Sequence, residues 1–387
     1  VTAVAATVID TRPTTVPRPL LVLLGHPVAV VRPSLTDPRL RLSAVIVTLQ
    51  VLGQTVLGFK VSIAQILLTV GLCAAVDGAV ILARDHVLAV PASGMLTGNS
   101  VAFILRAAGT RHGDWWSLHG IGYFVLAALL SLGSKHFIRV GGRHEFNPSN
   151  VGLVWVLLVI GPHHVFPQYL WWGRFAWPVM AAWVVILAGG VWVLRPVRMA
   201  PMALSFLVPF MALVGLSAAA GRSFVALWHT GAVSGGAYWA DIALSPEVFI
   251  FVFFMMSDPQ TAPKSRRGRV IYGAGTALLA AGLLVIQPTE FGIKLAILSS
   301  LTVTCAMVPV IERIAGRVSR ACEPSTVAVG PAPRQRSDGD RWAGLLRPVV
   351  VATAVIAVAA PVGTIALSRN TQVINIERGL TRQRNPQ

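Results

Sequence analysis

Eight stretches of this chain are apolar over roughly the length an α-helix needs to cross a bilayer, about 20 residues. They lie at 42–59, 62–83, 117–133, 176–194, 200–219, 268–286, 291–313 and 346–367. Hydrocarbon offers no water to an open backbone, so a spanning segment is either a helix or a strand of a closed barrel. Runs of this length exceed the roughly 10 residues of a barrel strand. The expected fold is therefore an all-α polytopic membrane protein. Composition agrees: 55% of residues are hydrophobic and 12% charged, against about 25% charged in an average soluble domain. That balance excludes a disordered chain. It also argues against nucleic acid as a partner and makes the lipid bilayer the expected one.

The net charge of +17 first suggests a polyanion, but its distribution gives another reading. With the N-terminus in the cytoplasm and every segment crossing, 22 of the 32 Lys and Arg residues fall on the inner side and 10 on the outer. Cytoplasmic loops collect Lys and Arg in this way. Residues 1–40, rich in Pro and Thr, read as a cytoplasmic tail. Residues 41–313 form the membrane domain, 314–345 a flexible cytoplasmic linker, and 346–387 one more transmembrane helix with a polar tail. No cleavable signal peptide is visible. Trp115–Trp116 and Trp171–Trp172 read as interfacial belts, and His163–His164 as a wetted loop with no metal. Cys73, Cys305 and Cys322 form no CxxC, so neither a disulfide framework nor a Cys₄ cluster is expected. The 28 Arg against 4 Lys suggest a GC-rich bacterial genome, such as that of an actinomycete.

Three further apolar stretches are shorter or broken: 86–106, interrupted by Pro91, Ser93, Gly94 and Gly98, then 147–161 and 244–256. Interrupted helices in corresponding halves of a transporter-like chain point to inverted repeats with a site at their interface. Irregular backbone survives at that depth only where protein buries it or where it lines a cavity.

Polar residues cluster in three places. The first is Ser93-Gly94-Met95-Leu96-Thr97-Gly98-Asn99. The second is Lys135-His136-Phe137 with Gly142-Arg143-His144-Glu145-Phe146-Asn147-Pro148-Ser149-Asn150. The third is Met255-Met256-Ser257-Asp258-Pro259-Gln260-Thr261, followed by Lys264, Arg266, Arg267, Arg269 and Tyr272-Gly273. Polar groups at membrane depth are costly unless paired, and are functional candidates for that reason. Asp77 and Glu247, inside apolar helices, read as proton or cation relays or as partners of basic residues. Asp258 reads as a cap, a cation ligand or a partner of Arg266, Arg267 or Arg269. Lys294 is expected to snorkel outward.

In order and spacing, these stretches resemble the SG-x-x-TG, K…GR-x-x-x-NP and M-x-[ST]-DP elements of the NqrB/RnfD family of membrane electron-transport subunits. The likeness covers roughly residues 86–310. It implies about ten transmembrane helices in two inverted five-helix repeats, a fold similar to urea transporters. It also implies a bacterial cytoplasmic-membrane location, a redox role within a multi-subunit enzyme, and redox or biosynthetic partner proteins. The implied cofactor is riboflavin or FMN held non-covalently near Asn147. Asn150, Thr97, Asn99, Lys135, Asp258 and Thr261 are the other candidate cofactor-binding residues. An Asn amide suits the edge of an isoalloxazine ring, being both donor and acceptor. Asn147-Pro148 equally reads as an N-cap followed by Pro at N1. The family's covalent FMN is carried on a Thr between the second and third elements. This chain has no Thr from 151 to 229, and Ser234-Gly235-Gly236 lacks the acceptor. Covalent attachment is therefore not expected, and the chain is similar to the divergent UnbU-type branch of enediyne biosynthetic clusters. The alternative is a small-solute transporter, channel or exporter on the same fold.

Overall fold

A computed structural model describes residues 18–23, 26–31, 33–34, 37–140, 142–169 and 176–321. The expected last helix at 346–367, its polar tail, most of the 314–345 linker and Trp171–Trp172 lie outside the described residues. The chain is mostly helical. In order, the helices are α1 (Pro38–Thr55), α2 (Ile63–Asp85), α3 (Ala92–Ile104), α4 (Ile121–Phe137), α5 (Pro148–Ile160), α6 (Trp177–Val197) and α7 (Ala200–Ala219). They continue with α8 (Gly235–Ala243), α9 (Pro246–Ile250), a π-helical turn at Phe251–Met256, α10 (Arg266–Leu284), α11 (Glu290–Ala306) and α12 (Val308–Ala321). Four stretches are long and apolar enough to cross a membrane: Ile63–Asp85, Trp177–Val197, Ala200–Ala219 and Gly235–Met256. The bent pair Glu290–Ala306 and Val308–Arg317 makes a fifth if it counts as one span.

Local signals set the helix starts. Ser62 and Gln65 form a reciprocal capping box on α2, satisfying two donors that a helix N-terminus leaves orphaned. Asp37, Asn147, Ser245, Ser265 and Thr289 cap α1, α5, α9, α10 and α11 through their side chains. Proline follows in the first turn of α1, α5 and α9, where its missing N–H costs nothing.

Two segments differ from the apolar-run expectation. The short stretch 244–256 is lengthened at its N-terminal side by α8, so that Gly235–Met256 reaches 22 residues. The run 291–313 is not one helix, because α11 and α12 meet at a 60° bend. Short strands join the helix ends. β1 (Arg18–Leu23) and β2 (His26–Val31) pair antiparallel within the expected N-terminal tail, and β2 pairs in parallel with β3 (Val87–Ala89). β4 (Leu105–Ala107) extends directly from α3 and pairs antiparallel with β7 (Val165–Pro167), which follows α5. This ribbon ends two half-length helices side by side and satisfies their exposed backbone. β5 (Arg139–Val140) pairs with β6 (Arg143–His144), and β8 (Ser223–Val225) with β9 (Ala232–Ser234).

Within the first five helices, α2 packs on α3 and α4 on α5; later in the chain, α10 packs on both α7 and α11. Two further contacts, α1 on α6 and α5 on α11, join the N- and C-terminal halves. Glycine makes these approaches close. A Cβ on Gly94 would lie 2.5 Å from the Asp77 Cβ and 2.6 Å from the Cys73 carbonyl oxygen. On Gly98 it would lie 2.8 Å from the Thr69 carbonyl oxygen. Thr69, Cys73 and Asp77 are one stripe of α2 at i, i+4 and i+8, so Gly94 and Gly98 work as a small-xxx-small packing surface. Gly152 of α5 meets Ala127 and Ser131 of α4 in the same manner, and Gly273 of α10 meets Met202 and Ser205 of α7.

Gly98→Ala is expected to destabilise the fold by about 2 kcal/mol, because the obstacle is α2 backbone and cannot move aside. Gly71→Ala, with open space at its Cβ, is expected to be neutral or stabilising by up to about 1 kcal/mol. Thermal unfolding of the two detergent-purified variants checks this; equal melting points would refute the packing assignment.

Candidate functional site

The second and third polar stretches meet at the start of α5. Asn147 caps this helix: its Oδ1 accepts from the Asn150 backbone N–H at 3.2 Å and from the Ser149 hydroxyl at 2.9 Å. Its Nδ2 donates to the Met255 carbonyl, at 3.1 Å, in the π-helical turn. One turn inside, the Asn150 Nδ2 donates to the Leu298 carbonyl at 2.9 Å and to the Thr302 hydroxyl at 2.8 Å, both on α11. Two amides thus tie α5 to two elements more than a hundred residues away. The N-cap reading of Asn147 is realised. Two valences are left over. Asn147 keeps one amide N–H beyond its bond to Met255. The Asn150 Oδ1 is buried and makes no hydrogen bond among the described residues.

Beside this junction, β5 and β6 dock on the turn after Met256. The Arg143 guanidinium donates to the Pro259 carbonyl, and His144 Nε2 lies 3.4 Å from Asp258 Oδ2. Asp258 Oδ1 accepts the Gln260 backbone N–H at 2.9 Å, and the Thr261 hydroxyl donates to the Asp258 carbonyl at 3.4 Å. Asp258 is therefore the organiser of a turn. Its ion-pair partner among the described residues is His144, not the arginines at 266, 267 or 269. Burial works to raise the Asp258 pKa, yet the His144 hydrogen bond and charge, the Gln260 N–H and Arg143 together hold it below the usual carboxylate range. Glu145, next in chain, goes the other way: burial pushes it up to about 7 against the pull of Arg143.

The first stretch and Lys135 form a separate cluster. The Thr97 hydroxyl donates to the Ser93 carbonyl of its own helix at 3.0 Å, and Asn99 is buried on α3. Lys135 Nζ lies 2.7 Å and His136 Nε2 2.9 Å from the same oxygen of Asp77, which is 1% exposed. The other oxygen, Oδ2, is buried and makes no hydrogen bond among the described residues. The structure thus pairs Lys135 with the acid that the apolar run of α2 conceals. It does not bring Lys135 to Asn147.

A third cluster was not assembled by sequence reasoning. Lys294 does not snorkel. Its Nζ sits 3.0 Å from Glu247 Oε2 and 3.2 Å from Glu290 Oε1, and the residue is 4% exposed. Trp228 Nε1 donates to the other Glu290 oxygen at 2.7 Å. Glu247 and Lys294 wall a cavity of about 40 Å³, room for about three waters. The cavity lies between the end of α3, the β7 ribbon, the α9–π-turn segment and α11, and is otherwise lined mainly by apolar side chains such as Phe103, Phe251 and Leu298. Gln168 also lines it, and its Nε2 is buried with no hydrogen bond among the described residues. Nearby in sequence, Arg106 is buried with its guanidinium 4.2 Å from the Tyr169 ring centre. The available signal for Arg106 was a charged residue closing the broken 86–106 stretch; Gln168, seven residues beyond the 147–161 stretch, had none.

No family model matches this chain, and no curated protein matches it.

Lys135→Met is expected to cost about 3 kcal/mol, because Asp77 is left as a buried charge with only His136 beside it. Combining it with Asp77→Leu should recover most of that loss, and a double variant no more stable than the single one refutes the pairing. Glu145 supplies a pH signature. With its folded pKa near 7 and its unfolded value about 4.3, the folded state holds a proton that the unfolded state releases. Stability contributed by Glu145 is therefore complete below about pH 4 and declines as pH rises to about 7. Glu145→Gln should flatten the melting-temperature profile over that interval and exceed wild type above it. A profile parallel to wild type contradicts the assignment.

Proposed function

We propose that this chain is a divergent, multi-pass membrane protein of the NqrB/RnfD kind, built from two inverted five-helix repeats and serving electron transport with a non-covalently held flavin. The observation that carries the reading is the interlock of two sequence elements more than a hundred residues apart. The stretch 143–150 joins 255–261 through Asn147–Met255, His144–Asp258 and Arg143–Pro259. The repeat reading is supported by the contacts of α1 with α6 and of α5 with α11. These pairs would be self-equivalent if the first five helices correspond to α6, α7, the α8–π-turn segment, α10 and α11.

The valences left at the junction suit the edge of a flavin: a donor on Asn147 and a buried acceptor, Asn150 Oδ1. When bound, the isoalloxazine supplies the electron chemistry, and the protein supplies orientation and a water-poor setting. Thr97, Asn99 and Lys135 are held on the α2–α3–α4 side and belong to the scaffold in this reading. The lack of an acceptor Thr and the arginine-rich usage support the UnbU-type branch and a role beside enzymes of natural-product assembly.

A second reading is favoured by one observation, the cavity where the two interrupted segments meet, with the Glu247–Lys294 pair in its wall. Broken helices around a central chamber are how transporters build a substrate site, so a small-solute transporter is the alternative.

The detergent-purified protein should show a flavin band at about 450 nm, or acquire one with added riboflavin. Asn150→Leu, which removes both the leftover acceptor and a tie to α11, should weaken flavin retention about tenfold, or ~1.4 kcal/mol. A colourless protein that takes up no riboflavin, together with solute flux in proteoliposomes abolished by Glu247→Gln, would replace the redox reading with the transporter one.

A further inference from the structure

The strongest feature outside these clusters is α12. Its 14 residues extend about 21 Å, too short to cross a core of about 30 Å. It leaves α11 at 60°, so it does not continue that helix. Three faces run along it. Ile311 and Ala315 are buried against the bundle. Met307, just before the helix, with Val310 and Ile314, forms a strip at helical spacing that is 44–47% exposed. Arg313 and Arg317, four apart on one face, are also exposed.

The helix's single acidic side chain does not neutralise that face. Glu312 turns inward to the start of α10, where its Oε1 accepts the Lys264 N–H at 2.5 Å and the Ser265 N–H at 3.2 Å. Its Oε2 accepts the Ser265 hydroxyl at 2.8 Å. A carboxylate at a helix N-terminus is well placed, and the three bonds moor α12 across the start of α10. Lys264, Arg266 and Arg267 stay exposed on the far side of a cleft of about 450 Å³ lined by Arg143, Lys264, Ser265, Val308 and Glu312. What remains outward is an apolar strip bordered by arginines, with more cations across the cleft.

We propose that α12 lies in the plane of the membrane surface and, with the Lys264–Arg267 segment, binds anionic phospholipid. The apolar strip enters the boundary between headgroups and acyl chains, and Arg313 and Arg317 reach the phosphates. A large amphipathic contrast with Arg on the polar side is the pattern of helices that lie on a bilayer, and each basic residue near an anionic surface adds to the attraction. A bilayer bordering this end of the candidate membrane spans supplies both an apolar layer for the strip and phosphates for the arginines, so no second macromolecule is needed. The inference rests on the membrane reading above and is independent of the flavin.

The test uses the full chain in detergent, titrated with dioleoyl phosphatidylglycerol or dioleoyl phosphatidylcholine. The anionic lipid should raise the melting temperature by about 3 °C more than the neutral one. That preference should fall by more than half in the double variant Arg313→Gln/Arg317→Gln, and also at high salt. Equal response to both lipids, or an undiminished preference in the double variant, overturns the proposal. A spin label on Ile314→Cys, in a Cys322→Ser background with Cys73 and Cys305 buried, keeps the question open to measurement if the double variant does not fold. In phosphatidylglycerol vesicles the label should sit at headgroup depth; a label in free water or at mid-bilayer refutes it. Failure of the whole chain to enter vesicles would instead strike at the membrane reading.

Discussion

Inside a bilayer, an interrupted helix must find hydrogen-bond partners in protein, because lipid supplies none. The rest of this architecture depends on how that demand is met at the start of α5. The π-helical turn at Phe251–Met256 shifts its backbone out of the ordinary i→i+4 register, and the Met255 carbonyl is taken by the Asn147 amide. Asn150 instead adds a side-chain donor to a regular helix, tying α5 to α11 through the Leu298 carbonyl and the Thr302 hydroxyl. Replacing Asn147 by an apolar residue would remove the side-chain partner of the Met255 carbonyl, and an unpaired buried carbonyl costs more than the bond itself is worth.

Close helix approach is the second requirement. Gly94 and Gly98 on α3, Gly152 on α5 and Gly273 on α10 permit this on their respective neighbours. Association of helices in lipid relies on van der Waals packing more than on the hydrophobic effect. The glycines of the SG-x-x-TG stretch therefore have a structural use that holds with or without a cofactor. The packing leaves two buried oxygens without a hydrogen bond among the described residues, the Asn150 Oδ1 and the Asp77 Oδ2.

Much of this fold was legible before any coordinates. The runs at 62–83, 176–194 and 200–219 became α2, α6 and α7 within a few residues, because a long apolar run has few other solutions. The break in 86–106 was legible from Pro91 and the glycines. What escaped was long-range. Asp258 found His144, 114 residues away, although three arginines stand within eleven residues of it. Local spacing cannot see the β5–β6 ribbon that carries His144 there. Lys294 was expected to reach outward, yet two carboxylates, Glu247 and Glu290, hold it in. Its neighbour four residues earlier was visible, but the other lies on α9. The bend after Ala306 escaped because residues on both sides of Met307 are apolar and hydropathy does not register direction.

The charge excess can now be divided by physical role. Some cations are spent on buried acids: Lys135 on Asp77, and Lys294 on Glu247 and Glu290. Others hold backbone oxygens at one end of the bundle, as Arg143 does at Pro259 and Arg269 at Pro263 and Arg198. A third group, Lys264, Arg266, Arg267, Arg313 and Arg317, is exposed, and its side chains have no such internal duty among the described residues. A buried pair is a weak source of stability, since desolvation offsets much of its attraction. It does fix which helices face each other. Among the described residues the exposed group makes no ion pair that would hold the fold together. Buried cations thus specify which helices meet, and the exposed cluster is of the kind that cytoplasmic loops of membrane proteins collect.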